Sequence, residues 1–384
     1  MLPANGRYAC SESPPTGEVL LFRALCLVST LAIVAASGSP AFAQDEEKVV
    51  NVYNWSDYID ESILEDFTKE TGIKVVYDVY DSNEILETKL LSGGTGYDVV
   101  LPSASPFLAR EIQAGAMQKL DKSKLPNLSH VWDTIAERVS KYDPDNEYSV
   151  NYMWGTTGIG YNVDMINERM PDAPVNSWDM IFDPDVISKF QDCGVYMLDA
   201  PTEMIPAALN YLGLDPNSTK PDDIDKAEEL LKSVRPYIQK FHSSAYIDSL
   251  ANGDICMAVG WSGDVFQAID AEAEGINVKY VIPKEGAQMW FDQMSIPADA
   301  PHPDNAHAFI NYILRPDVIA KASNYVFYAN GNKDSQQYLD EEIIGDPAIY
   351  PPKDVMDKLY TVDPYNPKAQ RLITRAWTSV KTGQ

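Results

Sequence analysis

Short stretches of this chain set acids beside aromatic rings. "NWSDY" holds Trp55, Ser56, Asp57 and Tyr58, "GWSGD" holds Trp261 and Asp264, and "MWFD" holds Trp290 and Asp292. Ser103 in "PSAS", Glu203 in "LDAPTE" and Tyr328 in "FYAN" belong to the same residue types. Carboxylates make charge-assisted hydrogen bonds to ammonium groups. Aromatic faces attract cations by about 0.5–2 kcal/mol each and also cover methylenes. A linear molecule with amines at its ends and carbon between them needs both. The competing reading makes each tryptophan core and each aspartate a helix cap. Asp264, opening "DVFQAI", would suit a cap, and Trp261, closing an apolar run, would suit a core.

Enzyme chemistry does not assemble from these residues. "GWSGD" resembles a nucleophile elbow, but Asp264 stands where the second glycine is required. The histidines (His130, His242, His302, His307) form no HExxH, and "SGGTG" lacks the lysine of a phosphate loop,. No metal-ligand spacing occurs, so neither a metal nor a cofactor is expected. Paired carboxylates with stacking rings leave an exported carbohydrate-active enzyme as one alternative. A binding protein of similar fold for another ligand is a second.

The elements that position these residues alternate. "KVVNVYNW", "IKVVYDVY" and "YDVVLPS" read as strands, separated by the amphipathic "DESILEDFTKETG" and "NEILETKLLSGG",. A second such unit runs from "CGVYMLDA" through "EMIPAALNYLG" and "DDIDKAEELLKSV" to "GDICMAVGW" and "DVFQAIDAEAEG". Such alternation predicts parallel sheets with helices on both faces. "EYSVNYMW" and "TTGIGYNV" would carry the chain from one lobe to the other, and "INVKYVIP" would carry it back. The expected fold is α/β, two lobes with a central cleft and a short crossover hinge. Lobe 1 is expected at 44–152 plus about 280–322, and lobe 2 at 153–279 plus about 323–384. Ligands of open α/β sheets sit beyond the carboxyl ends of the strands, where the ring-and-acid stretches fall; Ser105 and Asp199 share such ends.

The chain has 384 residues, 45% of them hydrophobic and 23% charged, with a formal net charge of −27. That field repels phosphate backbones, so nucleic acid is not an expected partner, and it favours cations. Arg23 and the apolar run Ala24 to Ala36 precede "SPAFA", whose Ala41 and Ala43 fit a signal-cleavage site,. Residues 1–43 are expected to be removed, leaving an exported protein that begins near Gln44. Cys193 and Cys256 then remain, and an oxidising compartment predicts a disulfide between them, with two buried free thiols as the alternative.

At "YNWSDYI", "PSAS", "TTGIGYNVD", "SWD", "LDAPTE", "LANGDICMAVGWSGD", "IPKEGA", "LRPDV" and "FYAN" the sequence resembles the periplasmic polyamine-binding proteins. These are the substrate-capturing subunits of ATP-driven putrescine and spermidine importers. The resemblance runs from about Val50 to "RAWTSVK". It implies a monomer that binds a polyamine, works with an inner-membrane ABC permease, and has no catalytic role. It places Trp55, Ser56, Asp57, Tyr58 and Ser103 on one wall and Glu203, Trp261 and Asp264 on the other. Trp290, Asp292 and Tyr328 would complete the box, and Cys193 and Cys256 match a cysteine pair of the putrescine branch. Two departures stand out. Pro106 follows "PSAS" like an added residue beside the pocket. Trp290 occupies a position where putrescine-type members tend to carry Phe, which tilts the expectation slightly to spermidine.

Overall fold

The computed structural model describes residues 46–383, so the expected export signal and the expected start at Gln44 lie outside the described residues. β1 (Val49–Trp55) and β2 (Lys74–Tyr80) pair in parallel around the helix Glu61–Thr71. Asp60 caps that helix by accepting from the Ser62 amide, and Gly72 ends it at φ 72°. A residue without Cβ takes that left-handed turn at least cost. Ile63 and Phe67, one turn apart, form its buried stripe,. The helix Asn83–Ser92 leads to β3 (Val99–Val100), parallel to β1.

The remaining strands are β4 (Ser149–Asn162), β5 (Val195–Met197), β6 (Lys240–Phe241), β7 (Met257–Trp261), β8 (Val278–Val281), β9 (Met289–Ser295) and β10 (Ala329–Asn330). They join in the order β2-β1-β3-β9-β4-β7-β5-β6, with β8 and β10 also on β4. The sheet is mixed rather than parallel. β5 runs parallel to β6 and β7, but β9 is antiparallel to β3 and β4, and β4 is antiparallel to β7 and β8.

One crossover expectation is refined and one changes. "EYSVNYMW" and "TTGIGYNV" form one continuous strand, β4, buried at every position. Its first part pairs with β9 up to Thr156, and its second part pairs with β7 from Thr157 onward. "INVKYVIP" does not return the chain: β8 stays against Ile159–Asn162 in the second part of the sheet. The return strand is β9, which carries "MWFDQMS".

Two large cores divide the protein. Ile159, Trp178, Ile205, Val259 and Ile373 belong to one; Val50, Phe67, Met153, Ile310, Val326 and Tyr328 belong to the other. Ala329, Leu339, Ile343 and Ile349 pack with Trp154 and Phe291 on the β9 side. By core membership we propose that the lobe boundary expected near 322 falls after 350, with the C-terminal helix Pro367–Thr382 returning to the second lobe. Cys193 and Cys256 are disulfide-bonded across the neighbouring strands β5 and β7, with Cα atoms 5.4 Å apart. Among the described residues, no helix is long and apolar enough to cross a membrane.

Candidate functional site

The strand ends converge. Trp55 closes β1, Trp261 closes β7, Ser103 follows β3, and Glu203 lies in the first turn of the helix Pro201–Tyr211 after β5. Trp290 and Asp292 sit two apart on β9, so both point to the same face,. A cavity forms where they meet. Trp55, Ser56, Asp57, Tyr58, Ser103 and Glu203 line it, as do Trp261, Asp264, Trp290, Asp292 and Tyr328. Every residue expected at the site is therefore in its wall. Asp81, Asn83, Ser243, Ser244 and Ile247 line it as well.

Three carboxyl groups stand in this wall, Asp292 and Glu203 buried and Asp264 half-buried, and hydroxyls hold each in place. Asp292 accepts from the Tyr58 hydroxyl at 2.8 Å and from Ser103 Oγ at 2.6 Å. Asn83 fixes that serine, donating to its Oγ and accepting from its amide, both at 3.0 Å. Burial pushes the Asp292 carboxyl up to about 7; the Ser103 and Tyr58 hydrogen bonds oppose the rise and Asp264 adds to it,. Asp264 accepts from Tyr246 and Tyr328, both at 2.7 Å. Burial raises it to about 6, against the pull of the two hydroxyls. Glu203 accepts from Thr157 Oγ1 at 2.7 Å and Gln288 Nε2 at 2.9 Å. Burial raises it to about 8, and hydrogen bonds from Thr157 and Trp261 lower it in part.

Asp264 is not a cap. Trp261 occupies the cap position of the helix Ser262–Asp270, and the Asp264 carboxylate turns away to the two tyrosines. Trp261 is neither wholly core nor wholly wall. It packs against both large cores and still faces the cavity. Asp57 is exposed in the turn after β1, in the left-handed conformation at φ 54° that aspartate tolerates better than most residues,. The Ser56 amide donates to Tyr80 O at 2.9 Å, which fixes that turn against β2.

The rings form the rest of the box. Trp55 donates its indole N–H to Leu101 O at 2.9 Å and stands edge-on to Trp261 with centroids 6.0 Å apart. Tyr328 meets Trp290 at 5.1 Å and Tyr58 at 5.4 Å, also edge to face, the arrangement that ring quadrupoles favour. Desolvation keeps the Tyr58, Tyr246 and Tyr328 phenols well above their ordinary range, so they remain donors to the acids. Trp290 Nε1 is buried with no hydrogen-bond partner among the described residues. Among the described residues, no lysine, arginine or histidine lines the cavity. The arrangement offers spare carboxylate lone pairs between aromatic faces.

Some strand-end residues lie elsewhere. Asp199 accepts from Trp377 Nε1 at 2.9 Å and Lys381 Nζ at 2.8 Å, tying down the C-terminal helix. Ser105 donates to Val362 O, and Pro106 is buried and is not among the residues that line the cavity. The lining residues that were missed do carry a signal. Asp81 and Asn83 follow β2, and Ser243 and Ser244 follow β6, the same carboxyl-end rule that located Trp55 and Ser103,. Tyr246, Thr157 and Gln288 act from behind the acids and carry none. Among the described residues, no group of three histidines, cysteines or acids is placed to hold a metal.

Residues 62–351 match the model of the bacterial extracellular solute-binding protein family. The chain is 53% identical to the putrescine-binding periplasmic protein PotF of Escherichia coli K12, over 88% of this chain and 93% of that one. It is 51% identical to the putrescine-binding periplasmic protein SpuD of Pseudomonas aeruginosa UCBPP-PA14, over 92% and 98%. A solved structure of the spermidine/putrescine ABC transporter substrate-binding protein PotD from Streptococcus pneumoniae matches with a TM-score of 0.73. Identity to it is 29%, over 88% of this chain and 99% of that one.

Proposed function

The chain belongs to the bacterial extracellular solute-binding proteins, and from that premise we propose that its cavity captures a polyamine and delivers it to an ABC permease. It is a periplasmic transport component, not an enzyme. The observation that carries the ligand class is the union of three desolvated carboxyls, two buried and one half-buried, and five aromatic side chains in a cavity that no lysine, arginine or histidine of the described residues lines. An unpaired buried carboxylate is costly, and an ammonium group is the partner it lacks.

In this reading Asp264 and Asp292 hold amines, and Trp55, Trp261, Trp290 and Tyr328 cover the carbon between them. Asp57, exposed beside the cavity, meets the ligand from solvent. Ser56, Tyr58, Ser103 and Glu203 complete the polar wall. Putrescine is the first candidate, because the relatives at 53% and 51% identity carry that name. Trp290 alone leans the other way, towards spermidine. The lobes would close about β4, where its partner changes from β9 at Thr156 to β7 at Thr157,. The working unit is proposed to be a monomer.

The test is calorimetry on protein refolded free of carried-over ligand. Heat is expected with putrescine, and spermidine, spermine, cadaverine and agmatine rank the chain length. No heat with any of the five would end this reading.

A further inference from the structure

Two segments of the chain cross between the two large cores at one level. β4 changes partner from β9 at Thr156 to β7 at Thr157. The segment leading into β9 makes the opposite change at Gln288. Gly286 O still accepts from Trp178 Nε1 at 2.9 Å and Asn210 Nδ2 at 3.2 Å, on the side of the core that holds Trp178 and Ile205. Met289 already belongs to β9 and pairs with Thr156. The Thr157 amide donates to Gln288 O at 3.0 Å, so the two crossing points are bonded to each other.

The side chains of both crossing residues end on one acid. Thr157 Oγ1 donates to Glu203 Oε2 at 2.7 Å, and Gln288 Nε2 donates to Glu203 Oε1 at 2.9 Å. Glu203 lines the cavity, whereas Thr157 and Gln288 stand behind it. Trp261, whose ring lines the cavity too, donates to the same carboxyl. Gln288 is 4% exposed, and its Oε1 has no partner among the described residues, so Glu203 is what fixes the amide. The Thr157 bond stays on one side of the crossing, because Thr157 pairs with Trp261 on β7, on the same side as the helix that carries Glu203. The Gln288 bond reaches the residue at which the chain enters β9. Rotation of one core against the other must bend it.

We propose that Gln288 is a positioning residue that acts through Glu203 to couple polyamine capture to closure of the lobes. The inference rests on the polyamine reading of the cavity and deepens it. A ligand whose carbon chain lies against Trp261 fixes the indole and, through it, the Glu203 carboxyl. The Gln288 amide passes that orientation to the start of β9, which carries Trp290 and Asp292 into the opposite wall. Ligand and hinge therefore bias one bonded set of side chains, and such coupling is reciprocal. The same bond narrows the range of lobe positions when the cavity is empty.

Gln288→Met keeps the length of the side chain and removes its amide. Spin labels at Lys69→Cys and Glu229→Cys, exposed positions on helices of opposite cores, report lobe separation by pulsed electron–electron double resonance on the full chain. Without ligand, Gln288→Met should broaden the distance distribution. Saturating putrescine should bring the parent to one short distance and leave an open fraction in the variant. By calorimetry the variant should bind putrescine about fivefold or more weakly. Adding Gln288→Met to Glu203→Met should weaken binding no further, since either change removes the same link. Gln288→Asn, too short to reach Glu203, should act in the same direction if the methionine variant does not fold. A parent that gives no heat with polyamines ends the polyamine reading and this coupling with it. Heat in the parent, with an unchanged ligand-free distribution or with effects of the two substitutions that add, overturns the coupling alone.

Discussion

Raising the acidity should drive a polyamine out of this site, and the carboxyls say by how much. Asp292 is raised to about 7 and Asp264 to about 6, so at pH 7 about half of the first and about a tenth of the second carry a proton. A dication that holds both as carboxylates expels about 0.6 proton per molecule bound. From pH 8 to pH 6 the same two groups weaken binding about twentyfold, or about 1.8 kcal/mol. The sign follows from the direction of the shifts. A carboxyl whose folded value is raised keeps its proton where the unfolded chain has lost it, so these groups favour the folded protein at acid pH and lose that contribution as pH rises through about 6 to 7,. A bound cation reverses the preference, and its stabilising effect grows with pH. Calorimetry with putrescine in buffers of different ionisation enthalpy counts the protons directly. A release near 0.6 leaves Glu203 protonated, whereas about 1.5 means that Glu203, raised to about 8, ionises too. Proton uptake, or an affinity flat between pH 6 and pH 8, would refute the reasoning.

Asp264→Asn keeps the shape but loses the charge between Tyr246 and Tyr328, and should weaken polyamine binding by about tenfold or more with the fold intact; unchanged affinity by calorimetry would reduce Asp264 to a structural acid. Gly263→Ala would put a Cβ 2.4 Å from ring carbons of Tyr328. It should lower stability by about 1–3 kcal/mol and weaken binding as the tyrosine is displaced from Asp264, and denaturation and titration of one preparation read both. Replacing Cys193 and Cys256 with alanine opens a span of 63 residues and should cost about 4 kcal/mol in the chain-entropy account, visible as a lower urea midpoint; a midpoint equal to that of the parent would mean the bond contributes little.

What the sequence revealed of the site is what the strand-end rule reaches. Trp55, Ser103, Trp261 and Glu203 each follow a short apolar run, and the sheet brings all such ends to one side,. Asp264 could not be settled that way, because a cap and a ligand both want a carboxylate near a helix start. Its tyrosine partners, not its position, decide the matter, and Tyr246 is 18 residues away. The partners of Glu203 are farther still, Thr157 at 46 and Gln288 at 85 residues. β9 was missed as an element for a related reason. Asp292 and Gln293 interrupt its apolar pattern, and only Tyr58 and Ser103, distant in sequence, make the buried acid tolerable. A polar residue in a central strand hides the strand until the contacts that pair it are known.

The same contacts set what the site can select. Burial is the main reason these three acids are raised, with smaller repulsion from neighbouring acids, so a proton is favoured over a bare charge on each of them,. A neutral molecule of the right length leaves those protons in place and gains little from the acids. A cation displaces them and gains a charge-assisted bond to a carboxylate whose orientation Tyr58, Ser103, Tyr246 and Tyr328 have already fixed,. On the proposed function, charge would therefore be read by the acids and their hydroxyls. Length would be left to the rings, Trp290 among them, whose Nε1 has no partner among the described residues while Trp55 is anchored to Leu101. On the proposed function, affinity for amines and choice among amines thus reside in different residues of the same wall.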